Sequence, residues 1–421
     1  MAMDTRWAQF IAGLAAAGGG AAALLSLTTA RGYLGLHAGL ADAIVRSPET
    51  ATAVGVVIAI VIATRAPRAG HREDAAVSAI GLAGVALTVD SSMQSPLAAV
   101  GTAAIAGVAV GGLVRWTRTS PHALLALGAG AVIGATASFP LRHPLILVLE
   151  GPRPHHAIDT RSIGVTLAII AVIALLVATG AGHDASRTAS SRRRTELPAA
   201  LGVTATAWAL GVWFEIDQAT RGWYWGWLLV PAVLVATVVL RGRGGSSLLV
   251  ITLSWVVVTR STDLSWIPDV RWMFLLVPLT AAGALVGHHL PRPEVVVALL
   301  IPCVATWLII DGPLDRTFSA VALFVVPVLV TAVITAEFRR GHAGPGLIAV
   351  ALTAVALWQT SPRSVEFFVT RIGGEPTTLD TGPYFVPQTL AFAAGYVVPA
   401  VLTLIVCVVA LRILRRRTPD A

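Results

Sequence analysis

Long uncharged apolar runs separated by short polar turns set the rhythm of this chain. The runs fall at about 9–30, 50–64, 75–93, 96–114, 121–139, 162–181, 198–214, 223–240, 246–259, 271–290, 294–310, 317–336, 345–359 and 386–411. None shows the apolar/polar alternation of a half-buried or barrel strand, so each predicts a helix. Apolar helices of about 20 residues match the thickness of a bilayer's hydrocarbon core, where only helices and closed barrels satisfy their own backbone groups. The pattern predicts an all-α polytopic integral membrane protein of about fourteen spans, within a range of twelve to fourteen. The N-terminal run lacks a small-residue cleavage site followed by a soluble domain, so it reads as a retained first span.

The polar segments divide the spans. His183–Glu196 reads HDASRTASSRRRTE, a stretch too polar for lipid and suited to a linker. Six spans precede it and six follow before a second basic turn, Glu337–His342. The two sets run in parallel at the level of hydropathy, with offsets near 170 to 176 residues through five spans. The expected organisation is a six-helix bundle at 1–182, a basic cytoplasmic linker at 183–197, a second six-helix bundle at 198–340, and an additional helix pair at 341–421. That pair brackets the longest outer segment, Thr360–Gln388, which reads as a solvated connection or an external lid.

Composition strengthens the membrane reading. Of 421 residues, 56% are apolar and 12% charged, with a mean hydropathy of +0.78. An ordinary soluble domain has about a quarter charged. All 30 basic residues are arginines, and they are spread through short loops, so the net charge of +8 calls for a membrane explanation before a nucleic-acid one. With both termini inside, 19 arginines fall on the cytoplasmic side and 11 outside. That is the asymmetry expected of positively charged inner loops, and one span more or fewer would invert it for every later loop. Cys303 and Cys407 lie inside apolar runs and predict buried thiols; no metal or cofactor motif and no nucleotide-binding loop occurs.

The loop between the second and third runs reads RAPRAGHRED. Its Arg68, Gly70 and Arg72 match in spacing a loop of the major facilitator superfamily, although Pro67 stands where that family has an acidic residue and His71 where it has a basic one. Together with six spans, a basic linker and six more, the chain resembles that superfamily of secondary transporters. The resemblance implies two bundles rocking about a central site, with the loop arginines and glycine sensing the conformational state. Gly128, Gly130, Gly134 and Pro140 in the fifth run are similar to the family's glycine-rich helix, but small residues at this spacing are also ordinary packing devices in membranes.

Ionisable groups at span ends are the remaining chemistry. Asp90 closes the third run, while Glu215 and Asp217 close the seventh within WFEIDQ; these three are the candidates for substrate contact or proton coupling. Trp223, Trp225 and Trp227 form an outer aromatic cluster, suited to a ligand or to an interfacial belt. His155/His156 and His288/His289 are pairs without a third ligand. Three functions remain open. The first is a secondary transporter of a small or amphipathic solute, possible coupling to protons included. A membrane-embedded glycosyltransferase or polymerase using polyprenyl-linked sugars is the second, with Asp42 or Glu49 in the first outer loop. The third is a non-catalytic subunit of an envelope assembly. The Arg-only, Ala/Gly/Val-rich composition points to a bacterial plasma membrane, with the bilayer and a small-molecule substrate as partners and no nucleic acid.

Overall fold

A computed structural model describes residues 5–29, 44, 47–65, 71–88, 95–118, 120–137, 160–180, 193–216, a few positions between 231 and 240, 273–290, 292–305, 315–339, 344–358 and 398–417. Among the described residues the fold is all-α, without a strand. In chain order the helices are α1 (Thr5–Thr29), α2 (Pro48–Thr64), α3 (His71–Thr88), α4 (Pro96–Thr117), α5 (Pro121–Ala137), α6 (Thr160–Gly180) and α7 (Arg193–Ile216). They continue with α8 (Met273–His289), α9 (Pro293–Ala305), α10 (Asp315–Arg339), α11 (Pro345–Trp358) and α12 (Val398–Arg417). The expected runs at 223–240 and 246–259 lie almost wholly outside the described residues.

Helix starts are written in local chemistry. Ser–Pro opens α2, α4 and α5, with Pro fixing the first helical φ and Ser capping free N–H groups. Ser47 Oγ accepts from the Glu49 N–H at 3.1 Å, and Ser95 Oγ accepts from the Ala98 N–H at 3.1 Å. Helices α3 and α7 begin before their apolar runs, because acidic residues in the first turn (Glu73 and Asp74; Glu196) complement the positive end of the helix dipole. Within the apolar helices, threonine hydroxyls donate back to the carbonyl four residues earlier, as in Thr280 to Leu276 and Thr353 to Ala349, both at 2.7 Å. Their polar groups therefore need no water.

Glycines let these helices meet at backbone distance. On α4, Gly107 and Gly111 sit against the carbonyls of Gly55 and Ala59 of α2; on α5, Gly130 and Gly134 sit against those of Ala17 and Ala21 of α1. On α8, Gly283 and Gly287 meet the carbonyls of Val328 and Ala332 of α10. In each pair the glycine i, i+4 spacing matches carbonyls j, j+4 in the same sense, so α1/α5, α2/α4 and α8/α10 run parallel. Gly81 and Gly84 of α3 meet Ala109 and Ile105 of α4, so that pair is antiparallel. Carbon-to-carbonyl approaches of this kind are how membrane helices associate without a hydrophobic driving force.

Helix α11 is buried at every position from Pro345 to Ala354 and packs on α2, α7 and α4. Its first turn meets the end of α2, where Gly346 faces Thr64, and the start of α7, where Gly344 faces Glu196. It is therefore antiparallel to α2 and parallel to α7. Among the described residues two helices, at Trp7–Thr28 and Pro96–Thr117, are long and apolar enough to cross a membrane; nine shorter stretches, such as Gly164–Thr179 and Phe324–Phe338, are apolar too. Large apolar side chains also face outward, among them Trp7, Phe10 and Leu14 on α1 and Ile169, Ile173 and Leu176 on α6.

Candidate functional site

Carboxylates are buried at both ends of this bundle, and they are its main concentration of described chemistry. Asp74 and Glu196 lie at the end where the parallel helices α3 and α7 start, and Glu49 lies at the opposite end; Glu294 is buried in the first turn of α9 and Glu337 in the last turn of α10. Four of the five stand in the first turn of a helix, where backbone N–H groups favour a negative charge.

A buried ion pair joins α3 to α4. Arg115 Nη2 meets Asp74 Oδ1 at 2.5 Å, with both side chains close to nine-tenths buried. Asp74 sits where the helix dipole is positive and Arg115 in the last turn of α4, where it is negative, so each charge also suits its own helix. Next to the pair the backbones close up: Gly112 faces the Ser78 N–H and hydroxyl, and Ser78 Oγ donates to the Asp74 carbonyl at 2.7 Å. Any residue larger than glycine at 112 would part the helices that bring the two charges together.

At the other end, Glu49 bridges α2 and α7. Its carboxylate Oε2 accepts from the Ser47 hydroxyl at 2.7 Å, and its aliphatic stem fills the notch at Gly211. Trp208 Nε1 donates to Thr50 Oγ1 at 2.9 Å, and Thr50 Oγ1 in turn donates to the Ile44 carbonyl at 2.6 Å. A polar chain thus ties the segment before α2 to a helix more than 150 residues later. Glu337, in the last turn of α10, lies close enough to Cys407 of α12 to act on it electrostatically. The carboxylate of Glu196 rests directly on Gly344 at the start of α11.

The sequence candidates fall unevenly on this map. Arg72 is exposed in the first turn of α3, two residues from Asp74. Glu215 lies on the backbone of α7 in its last turn, four residues beyond Gly211. Asp90, Asp217, Arg68, Gly70, Trp223, Trp225, Trp227, Asp42 and the His155/His156 pair lie outside the described residues, as does all of Thr360–Gln388. Glu49, raised by sequence as a catalytic acid of the first outer loop, is here a buried group engaged in helix capping and packing. Gly128 meets Ile334 and Phe338 of α10 and, like Gly130 and Gly134, serves helix contact. Both cysteines are free thiols, Cys407 buried and Cys303 partly so.

Sequence reasoning missed Asp74, Arg115, Glu196, Glu294 and Glu337 as buried groups. A signal was present for most of them: an acid within four residues of a helix start predicts a dipole partner, although burial depends on the neighbouring helix. Among the described residues no three His, Cys, Asp or Glu side chains gather to hold a metal ion. No family model matches the chain and no curated protein is a detectable relative.

Proposed function

We propose that this chain is a multi-pass membrane protein of the bacterial plasma membrane that moves a small or amphipathic solute by alternating access. The observation that carries the membrane part is the agreement of helix directions with alternate insertion. Numbering the fourteen expected passes in order, α1/α5, α2/α4, α8/α10 and α7/α11 are pairs of equal parity, and their contacts run parallel. The pairs α3/α4, α2/α7 and α2/α11 differ in parity and run antiparallel. Between α7 and α8 the expected runs at 223–240 and 246–259 supply the two passes that this numbering requires. The outward-facing apolar side chains then meet lipid tails, and the arginine-rich loops fall on one side, taken as cytoplasmic.

The transport part rests on the buried polar groups. In lipid, ionisable side chains face a bundle interior or a partner, and they mark pathways by default. Here they occupy both ends of the seam where α2 meets α7 and α11, with Glu49 and Trp208 at one end and Glu196 at the other. A site between helices, closed by polar contacts at either end, is the arrangement that alternating access requires. The resemblance to the major facilitator superfamily points the same way, and Glu215, Asp217 and Asp90 stay as candidates for coupling. The glycosyltransferase reading is weakened by Glu49, whose carboxylate is engaged by Ser47 and seated on α7.

Reporter fusions and reconstitution test the two parts separately. Fusions after residue 190 and after residue 342 should report the cytoplasm, and one near residue 370 the outside; a reversed or mixed pattern overturns the topology. In proteoliposomes screened against a panel of small amphipathic solutes, saturable uptake driven by a pH gradient should appear and vanish in Glu215→Gln. Uptake unchanged by Glu215→Gln removes that residue from coupling, and product formation from polyprenyl-linked sugars, lost in Asp42→Asn, would replace transport with the enzyme.

A further inference from the structure

Helix α12 has two faces of different character. Thr403, Leu404, Cys407 and Leu411 are buried, and α9 packs against this helix. Val398, Leu402, Ile405, Val406, Val409 and Ile413 are exposed and, at 100° per residue, fill one continuous outward stripe. From residue 398 to 413 the stripe rises about 22 Å, most of a hydrocarbon core near 30 Å. Such a strip of exposed aliphatic side chains suits lipid tails and not water.

The same face then turns basic. Arg412 is exposed at the edge of the stripe. Position 416 follows Arg412 by four residues and Val409 by seven, which sets it near the middle of the stripe's face; position 417 follows Ile413 by four and falls at its far edge. Position 415 follows Leu411 by four and shares the buried register. Three of the four terminal arginines, at 412, 416 and 417, therefore stand in or beside the register of the exposed stripe, immediately beyond its apolar end, and the fourth, at 415, stands beside the register of the buried positions.

We propose that the end of α12 is a binding site for the headgroup of an anionic phospholipid in the cytoplasmic leaflet, formed by Arg412, Arg416 and Arg417 and excluding Arg415. The assignment rests on the membrane reading above. The occupant follows from charge and continuity: an acyl chain lying along Leu402, Val406 and Val409 brings its phosphate to the level of the arginines. Guanidinium groups match phosphate oxygens in a forked geometry. Basic residues flanking a membrane helix draw anionic lipids by an amount equal to about five-fold in affinity per residue. The helix dipole alone would recruit all four arginines alike, because it depends on distance from the C-terminus and not on face.

The purified full-length protein, in a neutral detergent, is titrated with phosphatidylglycerol, phosphatidylcholine or soluble glycerol phosphate, and bound lipid is counted by native mass spectrometry. Phosphatidylglycerol should be retained in preference to phosphatidylcholine. Retention should weaken about five-fold in Arg416→Gln and in Arg412→Gln, stay unchanged in Arg415→Gln, and be largely restored by Arg416→Lys. Equal losses for Arg415→Gln and Arg416→Gln overturn the proposal, as does equal retention of the two lipids. Glycerol phosphate binding as well as the whole lipid also overturns it, since the stripe would then contribute nothing. Release of the protein from membranes by alkaline carbonate would instead refute the membrane reading on which the assignment rests.

Discussion

Gly130 of α5 offers the sharpest test of the packing. A Cβ built there would lie 2.7 Å from both the Cα and the carbonyl carbon of Ala17, with the carbonyl oxygen nearer still. Carbon atoms rest at about 3.5–4.0 Å, so Gly130→Ala must part α1 from α5 by about 0.8 Å. A gap of that size forfeits a quarter to a half of each dispersion contact along the crossing. Gly20 against Leu127 and Gly134 against Ala21 lie on the same crossing and are disturbed with it. Overpacking of this kind costs about 1–3 kcal/mol, of which alanine's better helix propensity recovers at most roughly 1 kcal/mol. Gly101 and Gly202 have nothing within 4 Å of an added Cβ, so alanine there keeps only the propensity gain. The two classes should differ by about 2 kcal/mol. In a Cys303→Ser background, which removes the partly exposed thiol, Cys407 is a built-in reporter, because its buried thiol reacts with a maleimide dye only on unfolding. In thermal melts of the detergent-solubilised protein, Gly130→Ala should label at lower temperature than the parent, and Gly101→Ala at the same or higher temperature. Equal midpoints for the two variants would refute the backbone-contact account of the α1/α5 crossing.

Two further outcomes follow from the polar contacts. Asp74→Asn strands the guanidinium of Arg115 in a nearly buried position and should destabilise by roughly 3 kcal/mol, whereas Asp74→Asn with Arg115→Met should recover most of it; additive losses in a double-mutant cycle would show the pair to be uncoupled. Gly344→Ala drives a methyl group into the Glu196 carboxylate and should loosen the first turn of α11, seen as faster amide exchange over residues 345–350, with Glu196→Ala as a second change restoring protection. Protection unchanged in Gly344→Ala would mean that Glu196 swings away freely and does not hold α11.

Much of the local structure was legible in the residues. Twelve of the fourteen apolar runs coincide with described helices, generally within a few residues, because an apolar run bounded by Ser–Pro or by an acidic first turn carries its own start signal. The run at 386–411 differs most, since α12 begins at Val398 and continues through the arginines to Arg417. Site chemistry was less legible. Glu215, Asp217 and Asp90 stand out in the sequence because they end apolar runs, but sequence position says how near a charge lies to a run and nothing of which helix covers it. Asp74 and Arg115 are 41 residues apart in the chain and meet only because α3 and α4 close on Gly81, Gly84 and Gly112.

Sequence by itself determined that these segments are helices and that their side chains are mostly apolar, since both follow from short-range composition and from the need of each backbone to bond within itself. Tertiary structure alone decided which helices touch, that α11 is enclosed by α2, α4 and α7, and that Glu49 sits on Gly211 and Glu196 on Gly344. Those choices depend on where a missing side chain on one helix meets a carbonyl or a carboxylate on another, a fit between surfaces that no single stretch of residues encodes.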